Sequence, residues 1–216
     1  MNLNNFILEI PELVYDQKEL VSIFDQCKPY GRIKGLKWRK KPRKIVSIED
    51  ATCLVIQYGE NMMLDLSKKD LSYDLLQHSY IKNIIEKFNF SHRIDSGNID
   101  ILWYRSGFEF EPHVDHYAAA TMMWPIIPAT GGAPIDFYSL DKVKYTPGEA
   151  GGFRDILNAD DIIYTHYYNT TFPTIFNSHW IHGVRRIDHE RVYLRLRINE
   201  SFDSIVKKYK NGTLIK

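Results

Sequence analysis

Alternation of apolar and polar positions with a period of two runs through the second half of the chain and sets the expected architecture. The clearest stretch is Arg191-Val-Tyr-Leu-Arg195-Leu-Arg197-Ile198, where Val192, Leu194, Leu196 and Ile198 take the even positions and arginines and a tyrosine the odd ones. One face of such a strand is aliphatic and the other carries charge. From Asn98 onward the same period predicts strands at 99–105, 108–116, 119–126, 134–139, 161–166, 174–178, 180–184 and 191–198. Earlier in the chain the signals are mixed. Phe6 to Ile10 reads as a strand ended by Pro11, and Asp16-Gln-Lys-Glu19 resembles a capping box leading into an amphipathic helix through Cys27. Strands are expected near 31–38, 51–58 and 62–66. Leu71, Leu75, Leu76, Tyr80, Ile84, Ile85 and Phe88 recur at helical spacing and predict a second helix over 71–88. Residues 141–155, with Pro147, Gly148, Gly151 and Gly152, have the turn residues of an irregular loop, and 199–209 suits a short helix.

These elements imply a mainly β fold with flanking helices (α+β), its short strands forming a double-stranded β-helix, or jelly-roll, barrel. A chain of 216 residues fits one domain. Within it, 1–95 supplies N-terminal helices and flanking strands, 96–200 the barrel core and 201–216 a C-terminal tail. The net charge of +1 lacks the excess basicity of a dedicated nucleic-acid domain. Two cysteines, Cys27 and Cys53, are too few for a disulfide framework. The N-terminus does not read as a signal peptide and no apolar run approaches membrane-spanning length, so a cytoplasmic protein without membrane partners is expected.

The candidate chemistry starts at His113 and Asp115. Two positions apart on an extended backbone, their side chains leave the same face and can share one ion. His182, in the β-prone stretch Phe176-Asn-Ser-His-Trp-Ile-His182-Gly-Val184, is the best third ligand, and Gly183 beside it allows close approach. Two imidazoles and one carboxylate make the facial triad of Fe(II) oxygenases. His116 and His179 should face away from this site, His189 sits in a polar connection, and His166 is a further competitor. On the last strand, arginines pointing inward need anionic partners, and a dicarboxylate such as 2-oxoglutarate offers a carboxylate that arginine grips with two hydrogen bonds.

The motif Tyr104-x-x-Gly107-x-x-Phe110-x-x-His113-x-Asp115, then Gly131-Gly132 before a strand, then His182-Gly-Val and a basic residue, resembles the prolyl-4-hydroxylase-like branch of the Fe(II)/2-oxoglutarate dioxygenases over roughly residues 95 to 200. The resemblance implies Fe(II) held by His113, Asp115 and His182, 2-oxoglutarate and O2 as cosubstrates, and hydroxylation of an amino-acid, peptidyl (prolyl-type) or small-molecule substrate with release of succinate and CO2. It also implies that Tyr104 and Arg191 bind 2-oxoglutarate, with Arg195 and Arg197 as fallbacks, and that Gly107 turns the chain between strands. The family's G-G-E-T turn is here Gly131-Gly-Ala-Pro134, so the threonine is absent. Retention of Asp115 argues against a halogenase. Arg191 and Arg197 also fit the R-x5-R spacing of AlkB-like nucleic-acid demethylases, the second reading. The basic run Arg32 to Lys44, with Trp38 for stacking, is what would meet nucleic acid. Other readings of the same residues are a cupin-type metal-binding module, a hydrolytic zinc site and a catalytically inactive interaction domain.

Overall fold

Two antiparallel sheets face each other in the computed structural model, which describes residues 5–33, 53–56, 74–115, 118–127, 134–144, 151–153, 156–169 and 171–216. In chain order the elements are β1 (Ile7–Glu9), α1 (Gln17–Cys27), β2 (Arg32–Ile33), β3 (Cys53–Ile56), α2 (Ser79–Glu86), β4 (Ile99–Tyr104), β5 (Phe110–Val114), β6 (Ala120–Ile127), β7 (Ile135–Tyr138), β8 (Gly151–Gly152), β9 (Ile162–His166), β10 (Thr174–Asn177), β11 (His182–Val184), β12 (Arg191–Ile198) and α3 (Phe202–Lys210). One sheet runs β1-β10-β6-β12-β4-β3-β2 and the other β8-β5-β11-β7-β9. This is a mainly β jelly roll with flanking helices. Among the described residues each sheet ends in edge strands, so the two form a sandwich and no hydrogen-bonded barrel closes.

Strand alternation divides the core into layers. The even face of β12, with Val192, Leu194, Leu196 and Ile198 all buried, packs with Leu20, Ile23 and Phe24 of α1, Ile81, Ile84 and Ile85 of α2, and Phe202 and Ile205 of α3. Its odd face looks into the sandwich, where Tyr193 joins Tyr104, Phe137, Phe176 and Val184. A substitution that moved one aliphatic residue of β12 to the odd register would expose the helix-facing surface and crowd the interior at once.

Local sequence accounts for most element ends. Asp16 caps α1, its carboxylate accepting from the backbone N–H groups of Lys18 at 2.9 Å and Glu19 at 3.3 Å. The helix expected over 71–88 is shorter: Leu75–Gln77 form a 3-10 turn and α2 starts afresh at Ser79, while 71–73 lie outside the described residues. The break follows from Asp74, whose carboxylate accepts from the Leu76 N–H at 3.0 Å and the Ser96 hydroxyl at 2.7 Å, and from the extended backbone of His78. The strand expected at 62–66 lies outside the described residues, as does most of that expected at 31–38. Within 141–155, Gly151 and Gly152 depart from the loop expectation and form β8, which pairs with the site strand β5 at His113 and Val114. Gly107, with φ of 85°, turns the chain from β4 in one sheet to β5 in the other.

Candidate metal centre

His113 lies near the C-terminal end of β5, Asp115 follows that strand directly, and β11 opens on His182. The two strands are antiparallel neighbours whose register sets His113 opposite His182. Gly183 permits that pairing. A Cβ there would stand 2.9 Å from the Phe110 carbonyl oxygen and 3.3 Å from the Pro112 nitrogen, so a larger residue would push β11 off β5. Past the end of β5, the Asp115 N–H donates to the Ser178 carbonyl at 3.0 Å, and the Ser178 and Thr121 hydroxyls are hydrogen bonded at 2.7 Å. These contacts hold the carboxylate under both rings. His113 Nε2 is 3.7 Å from Asp115 Oδ1 and His182 Nε2 is 3.8 Å from Asp115 Oδ2. One ligand atom from each residue falls within 4.8 Å of the others.

The hydrogen bonds assign both imidazole tautomers. Nδ1 of His113 lies 2.8 Å from the Glu111 carbonyl oxygen, and Nδ1 of His182 lies 2.8 Å from the Trp180 carbonyl oxygen. A carbonyl only accepts, so Nδ1 carries the hydrogen in each ring and Nε2, which faces Asp115, carries the lone pair that a metal would take. The Phe110 ring meets His113 edge-on at 4.1 Å, and Phe176 flanks His182 at 5.0 Å. Side-chain exposure is 29% for Asp115 against 4% for His182, so the centre opens to solvent on the carboxylate side. Two neutral nitrogen donors and one carboxylate fit a divalent first-row metal and leave coordination positions for small molecules.

Arg191, at the start of β12, is 2% exposed and pairs across strands with Tyr104 of β4. Its guanidinium carbon lies 4.6 Å from the ring centre of Tyr193, 5.1 Å from Tyr168 and 6.0 Å from Tyr104. Among the described residues neither Nη1 nor Nη2 has a hydrogen-bond partner. A cation so placed is costly unless an anion joins it. Tyr104 stacks on Phe108 at 3.8 Å, and burial pushes its hydroxyl well above the ordinary tyrosine range. The structure therefore brings the sequence-predicted pair Tyr104 and Arg191 together.

The fallback arginines are engaged elsewhere. Arg195 grips the fully buried Asp100 with two hydrogen bonds, Nε to Oδ1 at 2.8 Å and Nη2 to Oδ2 at 2.6 Å. Burial works against its charge, and Asp100 more than offsets that, raising its pKa above the ordinary value. Arg197 donates from Nη2 to the Gly97 carbonyl at 2.7 Å and lies 3.5 Å from Asp100. Burial lowers its pKa despite that carboxylate.

Two residues that the sequence reading did not select, His166 and Tyr168, lie beside Arg191: their rings meet at 5.0 Å and 90°, and the guanidinium carbon is 5.1 Å from the Tyr168 ring centre. The only available signal was their two-residue spacing at the end of a predicted strand. Of the competing histidines, His189 is exposed and bound to Asp188 at 2.6 Å, His179 lies in the turn before β11, and His116 is outside the described residues. Of the basic run 32–44, the structure describes only β2.

No family model matches the chain, and no curated relative matches it. The solved structures to which it is similar include a prolyl hydroxylase from Trichoplax adhaerens in complex with a hypoxia inducible factor oxygen degradation domain peptide fragment, at 11% identity over 93% of this chain and 87% of that one with a TM-score of 0.49. HygX from Streptomyces hygroscopicus with nickel and 2-oxoglutarate bound is similar at 10% identity over 88% and 80%, with a TM-score of 0.48. An oxidoreductase of the 2OG-Fe(II) oxygenase family from Burkholderia pseudomallei is similar at 13% identity over 90% and 86%, with a TM-score of 0.46. Among the described residues no helix is long and apolar enough to cross a membrane.

Proposed function

We propose that the protein is an Fe(II)- and 2-oxoglutarate-dependent dioxygenase that hydroxylates a C–H bond of an amino-acid, peptidyl or small-molecule substrate. One observation carries the reading: a two-histidine, one-carboxylate cluster and a buried guanidinium that meets no carboxylate among the described residues occur in one jelly roll. A metal-binding module or a hydrolytic zinc site would use the first and leave the second unexplained.

His113, Asp115 and His182 would hold the iron, each imidazole kept in its ligating tautomer by a backbone carbonyl. Arg191, walled by tyrosines, would bind the far carboxylate of 2-oxoglutarate, with Tyr104 beside it. When bound, the iron with its cosubstrates supplies oxidative decarboxylation to succinate and CO2 coupled to hydroxylation. The protein's part is geometry, charge and the exclusion of water by Phe110, Phe137 and Phe176 around the histidines.

Titration of anaerobic protein with Fe(II) and 2-oxoglutarate tests this reading through the visible charge-transfer band of the chelate. The band should form in wild type and disappear in His182→Ala. Bound metal with no band in wild type would favour a cupin-type or zinc site.

A further inference from the structure

Besides Nη1 and Nη2 of Arg191, two neighbouring buried atoms, Nε2 of His166 and the hydroxyl of Tyr168, have no hydrogen-bond partner among the described residues. They cluster around the Arg191 guanidinium. His166 ends β9 and Tyr168 follows two residues later, so on an extended chain both side chains leave the same face. Their rings are in edge contact at 5.0 Å, and the Arg191 guanidinium lies 5.1 Å from the Tyr168 ring. Tyr193, two residues beyond Arg191, closes the other side at 6.4 Å from Tyr168.

Two chain segments thus converge, with the Tyr168 hydroxyl interacting with the Arg191 guanidinium and none of these polar atoms meeting a protein acceptor at close hydrogen-bond distance among the described residues. Each of those atoms can offer a hydrogen. The Tyr164 hydroxyl lies 3.4 Å from His166 Nδ1, and when it donates there, Nε2 carries the ring hydrogen. Burial, with the Arg191 charge nearby, holds the His166 pKa at about 4, so the ring is neutral at ordinary pH and that N–H is a donor. Tyr168, raised by burial, keeps its O–H. The Tyr168 oxygen can accept from Arg191 and still leaves its O–H to donate. A guanidinium, an imidazole N–H and a phenol O–H together complement a group that only accepts, and a carboxylate has about four lone-pair sites to give them.

The geometry points to His166 and Tyr168 as cosubstrate-binding residues that donate, together with Arg191, to the far carboxylate of 2-oxoglutarate. This assignment rests on the dioxygenase reading and extends it to two residues outside the motif that suggested it. Among the described residues these buried donors meet no carboxylate, an arrangement that a protein tolerates where a ligand completes it.

Calorimetric titration of the Mn(II)-loaded full chain with 2-oxoglutarate and with oxalate, which chelates a metal but has no far carboxylate, tests the assignment in wild type, Tyr168→Phe and His166→Gln. Each variant should bind 2-oxoglutarate about tenfold more weakly, the worth of one hydrogen bond to a charged group. Oxalate affinity should be unchanged, which a general disturbance of the fold would not produce. If both variants bind 2-oxoglutarate as wild type does, or lose oxalate affinity equally, the assignment is overturned and the dioxygenase reading stands. If the wild type itself binds no 2-oxoglutarate, the dioxygenase reading falls and this inference with it. Tyr168→Phe decides alone should His166→Gln fail to fold.

Discussion

Arg191 and Arg195 occupy the same face of one strand, four residues apart, and their surroundings are opposite. Arg195, with Arg197 beside it, is neutralised by Asp100, a carboxylate with no exposed surface that stands across from Arg195 on β4. Arg191 has aromatic rings where a carboxylate would be expected. The difference teaches that charge inside this sandwich is matched residue by residue. Where the protein supplies the anion, the arginine is structural; where the described residues supply none, the anion in the proposed function is that of a ligand.

The sharpest way to break the comparison is to remove the internal anion. Asp100→Asn leaves two largely buried guanidiniums facing a neutral amide and should cost about 3–5 kcal/mol, read as a fall in the denaturant midpoint. No added dicarboxylate should restore it, since that end of the strand is already filled by protein.

A second test uses protons. His166 is held at about 4 in the folded protein by burial and by Arg191, against an ordinary value near 6.5. Above both values neither state binds the proton. As pH falls between them, the unfolded chain takes up the proton and the folded one does not, so stability declines toward acid by up to ~1.4 kcal/mol per pH unit, about 3 kcal/mol in all. Subtracting the unfolding profile of His166→Gln from that of wild type should isolate this slope. The same profile in both proteins would show that His166 is not held neutral. Saturating 2-oxoglutarate should flatten the slope, because an anion beside Arg191 makes a proton on His166 easier to accept.

The smallest expected effect lies at the strand pairing that sets the metal ligands. Gly183→Ala puts a methyl 2.9 Å from the Phe110 carbonyl and should cost roughly 1–3 kcal/mol while weakening divalent-metal affinity about tenfold. Metal affinity equal to wild type would mean that β11 can shift without disturbing His182.

How much of this was legible depended on distance along the chain. His113 and Asp115 were readable because period-two spacing fixes a shared face without further information. The two faces of β12 followed from the same rule, and the capping residue Asp16 from its own local hydrogen bonds. What failed was whatever depended on register between distant strands. Asp100 gives no sign in the sequence that it sits opposite Arg195, so Arg195 and Arg197 stood as fallbacks to Arg191 until the pairing of β4 with β12 showed them engaged. His166 ends a strand of the other sheet and Tyr168 follows it, and only the packing of the sheets brings them to Arg191. Gly151 and Gly152 read as loop because glycine carries no strand signal, yet their backbones pair with β5. The break before α2 was hidden because the apolar stripe continues through it, with Leu75, Ile81, Ile84 and Ile85 all buried on the same side.

The central claim is that Arg191 is left unpaired in order to receive a ligand carboxylate. It is tested most directly by measuring 2-oxoglutarate affinity and unfolding free energy together in metal-loaded wild type and Arg191→Leu. Loss of at least a hundredfold in affinity, with folding stability equal to or above wild type, is the predicted result, since the substitution deletes a buried cation that no carboxylate neutralises among the described residues. Wild-type affinity in the variant, or a stability loss as large as that of Asp100→Asn, would contradict it.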